Sequence, residues 1–265
     1  MKLMITHRLT YSYDAPVLYG LQQLRLTPRS DTHQRVSAWQ VQIEGGSQEL
    51  SFADQYDNHC TLVQADHGTR EVTLLIDGEI ETTGSDGIYG KVYGAAPLWH
   101  FRQSTPRTTA GRGIAGLARQ ITDPRGVLSE LHGLSEAILH DVPYLHDRTD
   151  VDTAAEQALE AGGGVCQDHA QIFIAAARHA GLPARYVSGY LMMDDQAEQD
   201  ATHAWAEAHV EGLGWVAFDV SNGISPDERY VRLAVGRDAK DAAPVSGMRL
   251  GDAGERMQVT LQVQQ

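Results

Sequence analysis

Residues 162–183, GGGVCQDHAQIFIAAARHAGLP, decide how this 265-residue chain folds. Three glycines lead into a run that stays apolar on its helical face and stops at Gly181, with Pro183 beyond, so the spacing predicts a helix over Cys166–Ala180. That helix begins on a cysteine. The first turn of a helix has unpaired N–H groups and about half a positive charge, both of which favour a thiolate over a thiol. An ordinary cysteine, with a pKa near 8.5, is only ~3% ionised at pH 7, so a nucleophile needs such a setting. A cysteine is otherwise a small buried hydrophobe, the reading that suits Cys60 inside the β-patterned Asn58-His59-Cys60-Thr61-Leu62-Val63.

Outward from this helix, period-2 stretches follow at Ala184–Met193, Thr202–Val210 and Trp215–Val220. Before it, Val127, Leu131, Leu134 and Ile138 mark one helical face, ended at Asp141-Val142-Pro143. Asp152-Thr153 caps a further helix that runs through Leu159 and closes on the three glycines. Helices followed by antiparallel strands give an α+β class, helices packed on an antiparallel sheet. The first hundred residues read as β: Leu3, Ile5, Leu9, Tyr11 and Tyr13 share one parity, and similar alternation recurs at Leu24/Leu26, Trp39–Ile43 and Val72–Ile80. Turn residues separate them, as in a small antiparallel β-sandwich. The expected division is a β-rich domain over residues 1–105 and an α+β core over 106–265. A final alternating strand, Met257 to Val263, is available to pair with the β domain or with a partner chain.

A nucleophilic cysteine needs a base, and the base needs an orienting group. His203 opens the strand Thr202–Val210, and Asp219 lies near the end of the next. Residues sixteen apart on two hairpin arms share a face only if the loop between them has an odd number of residues. A three- or five-residue loop centred near Glu211 or Gly212 meets that condition and leaves the pair opposite or one diagonal apart. His203 and Asp219 are then able to hydrogen-bond, although each alone reads as an ordinary surface-strand histidine and a loop-flanking carboxylate. Trp205 shares the face of His203 and reads equally as a groove-lining residue for substrate or as a core tryptophan.

Thirty-five acidic against 21 basic residues give a net charge of −14, which argues against nucleic acid or an anionic membrane as a partner. The longest apolar run, Ile172–Ala177, is far below the roughly 20 residues of a membrane helix. The N-terminus alternates and lacks the apolar block of a secretion leader, and two cysteines are too few for a disulfide scaffold. A soluble cytoplasmic protein is the expectation. His203/His209 and His140/His146 match no standard zinc spacing, and the acidic residues Asp194, Asp195, Glu198 and Asp200 lack the order of a calcium loop. No metal and no cofactor is expected.

Residues 162–191, GGGVCQDHAQIFIAAARHAGLPARYVSGYL, with 202–223, THAWAEAHVEGLGWVAFDVSNG, closely resemble the core of the bacterial transglutaminase-like superfamily, a papain-like fold. Leu24-x-Leu26-x-Pro28-Arg29 and Asp54-Gln55-Tyr56-Asp57-Asn58 resemble the β domain that accompanies such cores, and Val235-Gly236-Arg237-Asp238 with Pro244 and Gly247 fits the same family. The resemblance implies Cys166 as nucleophile, His203 as general base and acid, and Asp219 as orienter. Relatives more often carry Asp-Pro-Thr-Asn where this chain has Asp219-Val220-Ser221-Asn222, which leaves the segment less rigid but the three residues intact. The implied chemistry is attack of a thiolate on the amide of a peptide or protein, giving a thioester resolved by water or by an amine. Water is favoured, because no second site for an amine is legible and the chain has only three lysines. A crosslinking transamidase and a non-catalytic binding module on the same fold are the rivals. The Cys166 N–H is one expected oxyanion donor; for the second, Gln103, Trp99 and Tyr89 lie in the approach segment.

Overall fold

The computed structural model describes every residue except 92–93, 123–126, 194–197, 200 and 252. The N-terminal half contributes β1 (Lys2–Tyr13), β2 (Tyr19–Thr27), β3 (Gln34–Glu44), β4 (Gly46–Ala53), β5 (His59–Ala65), β6 (Glu71–Thr82) and β7 (Ile88–Gly90). Among the described residues, two 3-10 turns (Leu98–Arg102 and Pro106–Thr108) and four α-helices follow: α1 (Arg112–Ala118), α2 (Val127–Asp141), α3 (Ala155–Ala161) and α4 (Cys166–His179). The rest is β8 (Ala184–Leu191), β9 (Glu198–Gln199), β10 (His203–Val210), β11 (Gly214–Phe218), β12 (Tyr230–Gly236), β13 (Val245–Leu250) and β14 (Glu255–Gln264). The protein is a mixed α+β fold. Among the described residues no helix is long and apolar enough to cross a membrane.

Three sheets are formed, with orders β3-β6-β1-β14-β9, β13-β2-β5-β4 and β12-β8-β10-β11-β7. In β1 the residues of one parity, Leu3, Ile5, His7, Leu9, Tyr11 and Tyr13, are all buried, as a half-covered strand requires. The terminal alternating segment is β14, and its partner is β1 of the same chain, in register from Met4 opposite Gln264 to Tyr13 opposite Glu255. Because β13 pairs with β2, both closing strands extend the sheets built by the first hundred residues.

α4 is buried from Asp168 through Arg178, on every side. Alanines at 175–177 let neighbours approach, and Phe173 stacks on Phe218 of β11 with ring centroids 4.8 Å apart. The face of α2 that was read at Val127, Leu131, Leu134 and Ile138 is buried in the same apolar cluster, together with Ala204, Ala206 and Ala208 of β10. A second cluster joins β1 and β6 to Tyr190 and Met192 and to Val231 and Leu233 of β12, so the N-terminal strands and the third sheet share one apolar seam. Buried charge is matched within that third sheet. Arg185 Nε donates to Glu207 at 2.6 Å, Arg232 binds the other carboxylate oxygen of Glu207, and the Arg185 guanidinium lies 4.0 Å from the Trp215 ring.

Candidate active site

The site is assembled where α4 starts. α3 ends at Gly162, whose φ of 63° is the left-handed conformation that glycine tolerates best. The chain then passes Gly164, where a side-chain carbon would meet the Asp168 carboxylate at 2.7 Å. That closeness has a use. Val165, at the helix cap, has no side-chain acceptor of its own, and Asp168 reaches back to take the Val165 N–H at 2.8 Å and the Thr149 hydroxyl at 2.6 Å. One orphan donor of the first turn is thereby satisfied from within the helix. Cys166 follows at the first helical position, half-buried, in the wall of a cleft of about 530 Å³.

β10 and β11 supply the opposite wall. Val210 faces Gly214, so the loop is the three residues 211–213 centred on Gly212, an odd count. Ala206 lies opposite Phe218, so in that register His203 and Asp219 stand one diagonal apart on the same face. Their side chains meet: His203 Nε2 donates to Asp219 Oδ2 at 2.6 Å. Nε2 being engaged, Nδ1 is the ring nitrogen left for Cys166. Burial pulls the His203 imidazolium down, but the Asp219 carboxylate, with help from the Cys166 thiol, overcomes it and raises the pKa to about 10. Asp219 is itself held below the usual carboxylate range: burial pushes it up, and His203, Tyr230 and Asn222 outweigh that. Oδ2 accepts Tyr230 Oη at 2.7 Å and Asn222 Nδ2 at 2.6 Å. The turn after Asp219 has no proline, yet it is closed by reciprocal backbone bonds with Ile224, of 2.9 and 3.2 Å. Cys60, by contrast, is fully buried beside Asp54, and burial first and then that carboxylate push its thiol up to about 11.

Trp205 is 1% exposed and packs edge-on to Tyr230 at 5.5 Å, under His203; it lies in the core and not in the cleft wall. Gln103, Trp99 and Tyr89 also lie away from the cleft. Trp99 is 59% exposed, and Tyr89 stacks on Arg232. Tyr144 instead lines the cleft beside Cys166. A parallel bridge to Gly164, with Leu145 N–H donating to the Gly164 carbonyl at 2.9 Å, fixes this residue beside the start of α4. Its phenol oxygen lies against both the Cys166 N–H and the Cys166 thiol, and burial, then the thiol, push its pKa up to about 12. His169, one turn along α4 from Cys166, donates from Nε2 to the Val142 carbonyl at 2.7 Å, so its Nδ1 accepts the Ser221 hydroxyl at 2.8 Å. Burial lowers its pKa despite the Val142 carbonyl, keeping it neutral. Of the four acidic residues weighed as a calcium loop, Asp194, Asp195 and Asp200 lie outside the described residues; Glu198 sits in β9.

A cysteine at a helix start, facing a histidine that a buried aspartate holds, is the equipment of a cysteine-dependent acyl-transfer family. Comparison with known proteins specifies which. A family model described as the transglutaminase-like superfamily matches residues 115–220, and one described as the bacterial transglutaminase-like N-terminal region matches residues 3–81. An uncharacterised protein of Mycobacterium leprae is 26% identical over 275 residues, covering 99% of this chain and 98% of its own length. One from Mycobacterium tuberculosis strain H37Rv is 29% identical over 270 residues, covering 92% and 86%. The crystal structure of a candidate cysteine protease from Cytophaga hutchinsonii superposes with a TM-score of 0.78 at 22% identity, covering 99% of this chain and 90% of that one, a likeness of fold. The chain belongs to the transglutaminase-like superfamily and carries that superfamily's bacterial N-terminal region.

Proposed function

We propose that this protein hydrolyses amide or isopeptide bonds of peptide or protein substrates through a thioester on Cys166. The observation that carries the reading is the 2.6 Å bond between His203 and Asp219 in the cleft that holds Cys166. A histidine kept as imidazolium is the counter-ion of a thiolate and a ready proton donor. The Cys166 sulfur attacks the substrate carbonyl; the oxyanion takes the Cys166 N–H and the Tyr144 hydroxyl; His203 passes its Nδ1 proton to the departing nitrogen. The acyl group is left on sulfur. Neutral His203 then accepts a proton from water as the water oxygen attacks, and the thiolate returns as the acid leaves. Asp219 orients the imidazole throughout. In this reading the N-terminal strands form a sandwich domain and the helices cover the sheet that carries His203.

Water is favoured over an amine as the acceptor because solvent is in large excess and an amine needs its own binding site to compete. The test has two parts. At pH 7, Cys166 is expected to be alkylated rapidly by iodoacetamide and His203→Ala to slow that labelling about 100-fold, whereas the buried Cys60 labels only on denaturation. Glutamine-containing and isopeptide-linked peptides are then incubated with and without a labelled primary amine. Release of free acid supports hydrolysis, whereas incorporation of the amine into the peptide overturns it in favour of transamidation. A Cys166 rate at pH 7 that His203→Ala leaves unchanged overturns the nucleophile and points to a binding module.

A further inference from the structure

The cleft at Cys166 continues into the N-terminal half. Ala201 and Thr202, the residues just before His203, line the cleft on one side and on the other line a second cavity of about 200 Å³. The far wall of this cavity is Leu9 and Tyr11 of β1 with Met257 and Val259 of β14, and Val245 of β13 closes it. Tyr11, Val245 and Met257 also border a third hollow, of about 440 Å³, that runs out to Met248 and Arg249. The second cavity thus adjoins the cleft across Ala201 and Thr202, and the third adjoins the second across Tyr11, Val245 and Met257.

Three polar side chains, His7, Tyr11 and Thr202, lie among the apolar residues of the second cavity. His7 lines it and is 1% exposed, and its Nε2 is a buried atom without a hydrogen-bond partner. Its Nδ1 is 3.0 Å from the Tyr190 hydroxyl. Since the phenol proton has no other acceptor among the described residues, Tyr190 donates to Nδ1, and Nε2 carries the ring proton. Burial lowers the His7 pKa to about 4, so the ring is a neutral donor at ordinary pH. A cavity walled mainly by Leu9, Val245, Met257 and Val259, with no acidic, lysine or arginine side chain in its lining, suits an apolar substituent.

We propose that this chamber is the specificity subsite of the Cys166 cleft, and that it seats an apolar substituent of the substrate next to the reacting amide. The proposal rests on Cys166 being the nucleophile, and it gives the N-terminal β half the task of choosing among amides. Charged and strongly polar substituents are excluded, because the chamber has no counter-charge and would strip their water.

The test uses chloroacetamides that alkylate Cys166 through a small common head. Some carry N-alkyl tails from methyl to octyl, and others carry an oligoether tail of matching length. Labelling of Cys166 is followed by mass spectrometry. The expected result is a rate for the hexyl or octyl reagent about tenfold above that of the methyl reagent, with no such gain for the oligoether. Val259→Trp and Met257→Trp, half-buried and exposed positions that tolerate bulk, bring the octyl-to-methyl ratio to about one. Leu50→Ser, on the exposed face of β4, keeps the wild-type ratio. A ratio near one in the wild type, or a gain that survives both tryptophan variants, overturns the proposal. The methyl reagent's rate at Cys166 in the wild type against His203→Ala reports separately on the nucleophile, so the loss of either reading is recognised on its own.

Discussion

His203 holds opposing forces in balance, and pH is the means of reading them. Its pKa near 10 lies above the ~6.5 of an unfolded histidine. The pair's contribution to stability is therefore complete below pH 6.5 and is lost as pH rises through about 10; at the acid end it is lost as Asp219 is protonated below the ordinary carboxylate range. These are two views of one interaction and are counted once. The melting temperature is expected to fall more steeply between pH 7 and 10 in the wild type than in Asp219→Asn, whose curve is flatter across that window. In the pH–rate profile the alkaline limb falls near pH 10, and Asp219→Asn moves it toward neutrality. Tyr144 gives a second prediction. If its hydroxyl completes the oxyanion hole, Tyr144→Phe costs ~10²–10³-fold in kcat with KM nearly unchanged, and an unchanged kcat removes that role. Cys166, His203 and Asp219 were legible because each opens or closes an element whose pattern is strong. Tyr144, Tyr230, Asn222 and Ser221 were not: they reach the site through a parallel bridge, a third strand and a turn, none of which leaves a periodic trace.

Elements differ in how far their sequence announces them. The hairpin of β10 and β11 followed from two alternating stretches on either side of a short turn, and parity narrowed its loop to three or five residues, of which three is found. β4 went unread since it is an edge strand with its residues exposed on both faces, so no alternation marks it. α1 is too short, at seven residues, to show two full turns of an apolar face. Close packing between β8 and β10 yields a prediction of its own. A side-chain carbon on Gly189 would stand 2.6 Å from the Trp205 ring and closer still to the Val231 carbonyl oxygen of β12. Gly189→Ala is therefore expected to destabilise by ~1–3 kcal/mol, read as a lower urea midpoint. Since Trp205 lies beneath His203, alkylation of Cys166 is expected to slow in the same variant.

At the scale of the whole molecule, the site is held from both ends of the sequence. β9, which precedes the cleft residues Ala201 and Thr202, pairs with Leu261 and Gln262 of β14, and β14 pairs in turn with β1. Deleting residues 255–265 uncovers Ile5 and Leu9 and removes the partner of β9. The expected outcome is loss of the cooperative thermal transition, together with loss of the fast alkylation of Cys166. The buried Glu207 between Arg185 and Arg232 is the other long-range fixture. Glu207→Gln leaves two buried cations short of their counter-charge, and a loss of ~3–5 kcal/mol in denaturant titration is expected. Pairing β1 with β14 also sets a timetable. β1 leaves the ribosome long before β14, so its unpaired edge needs shelter during synthesis, and the cleft is finished only once β14 has emerged.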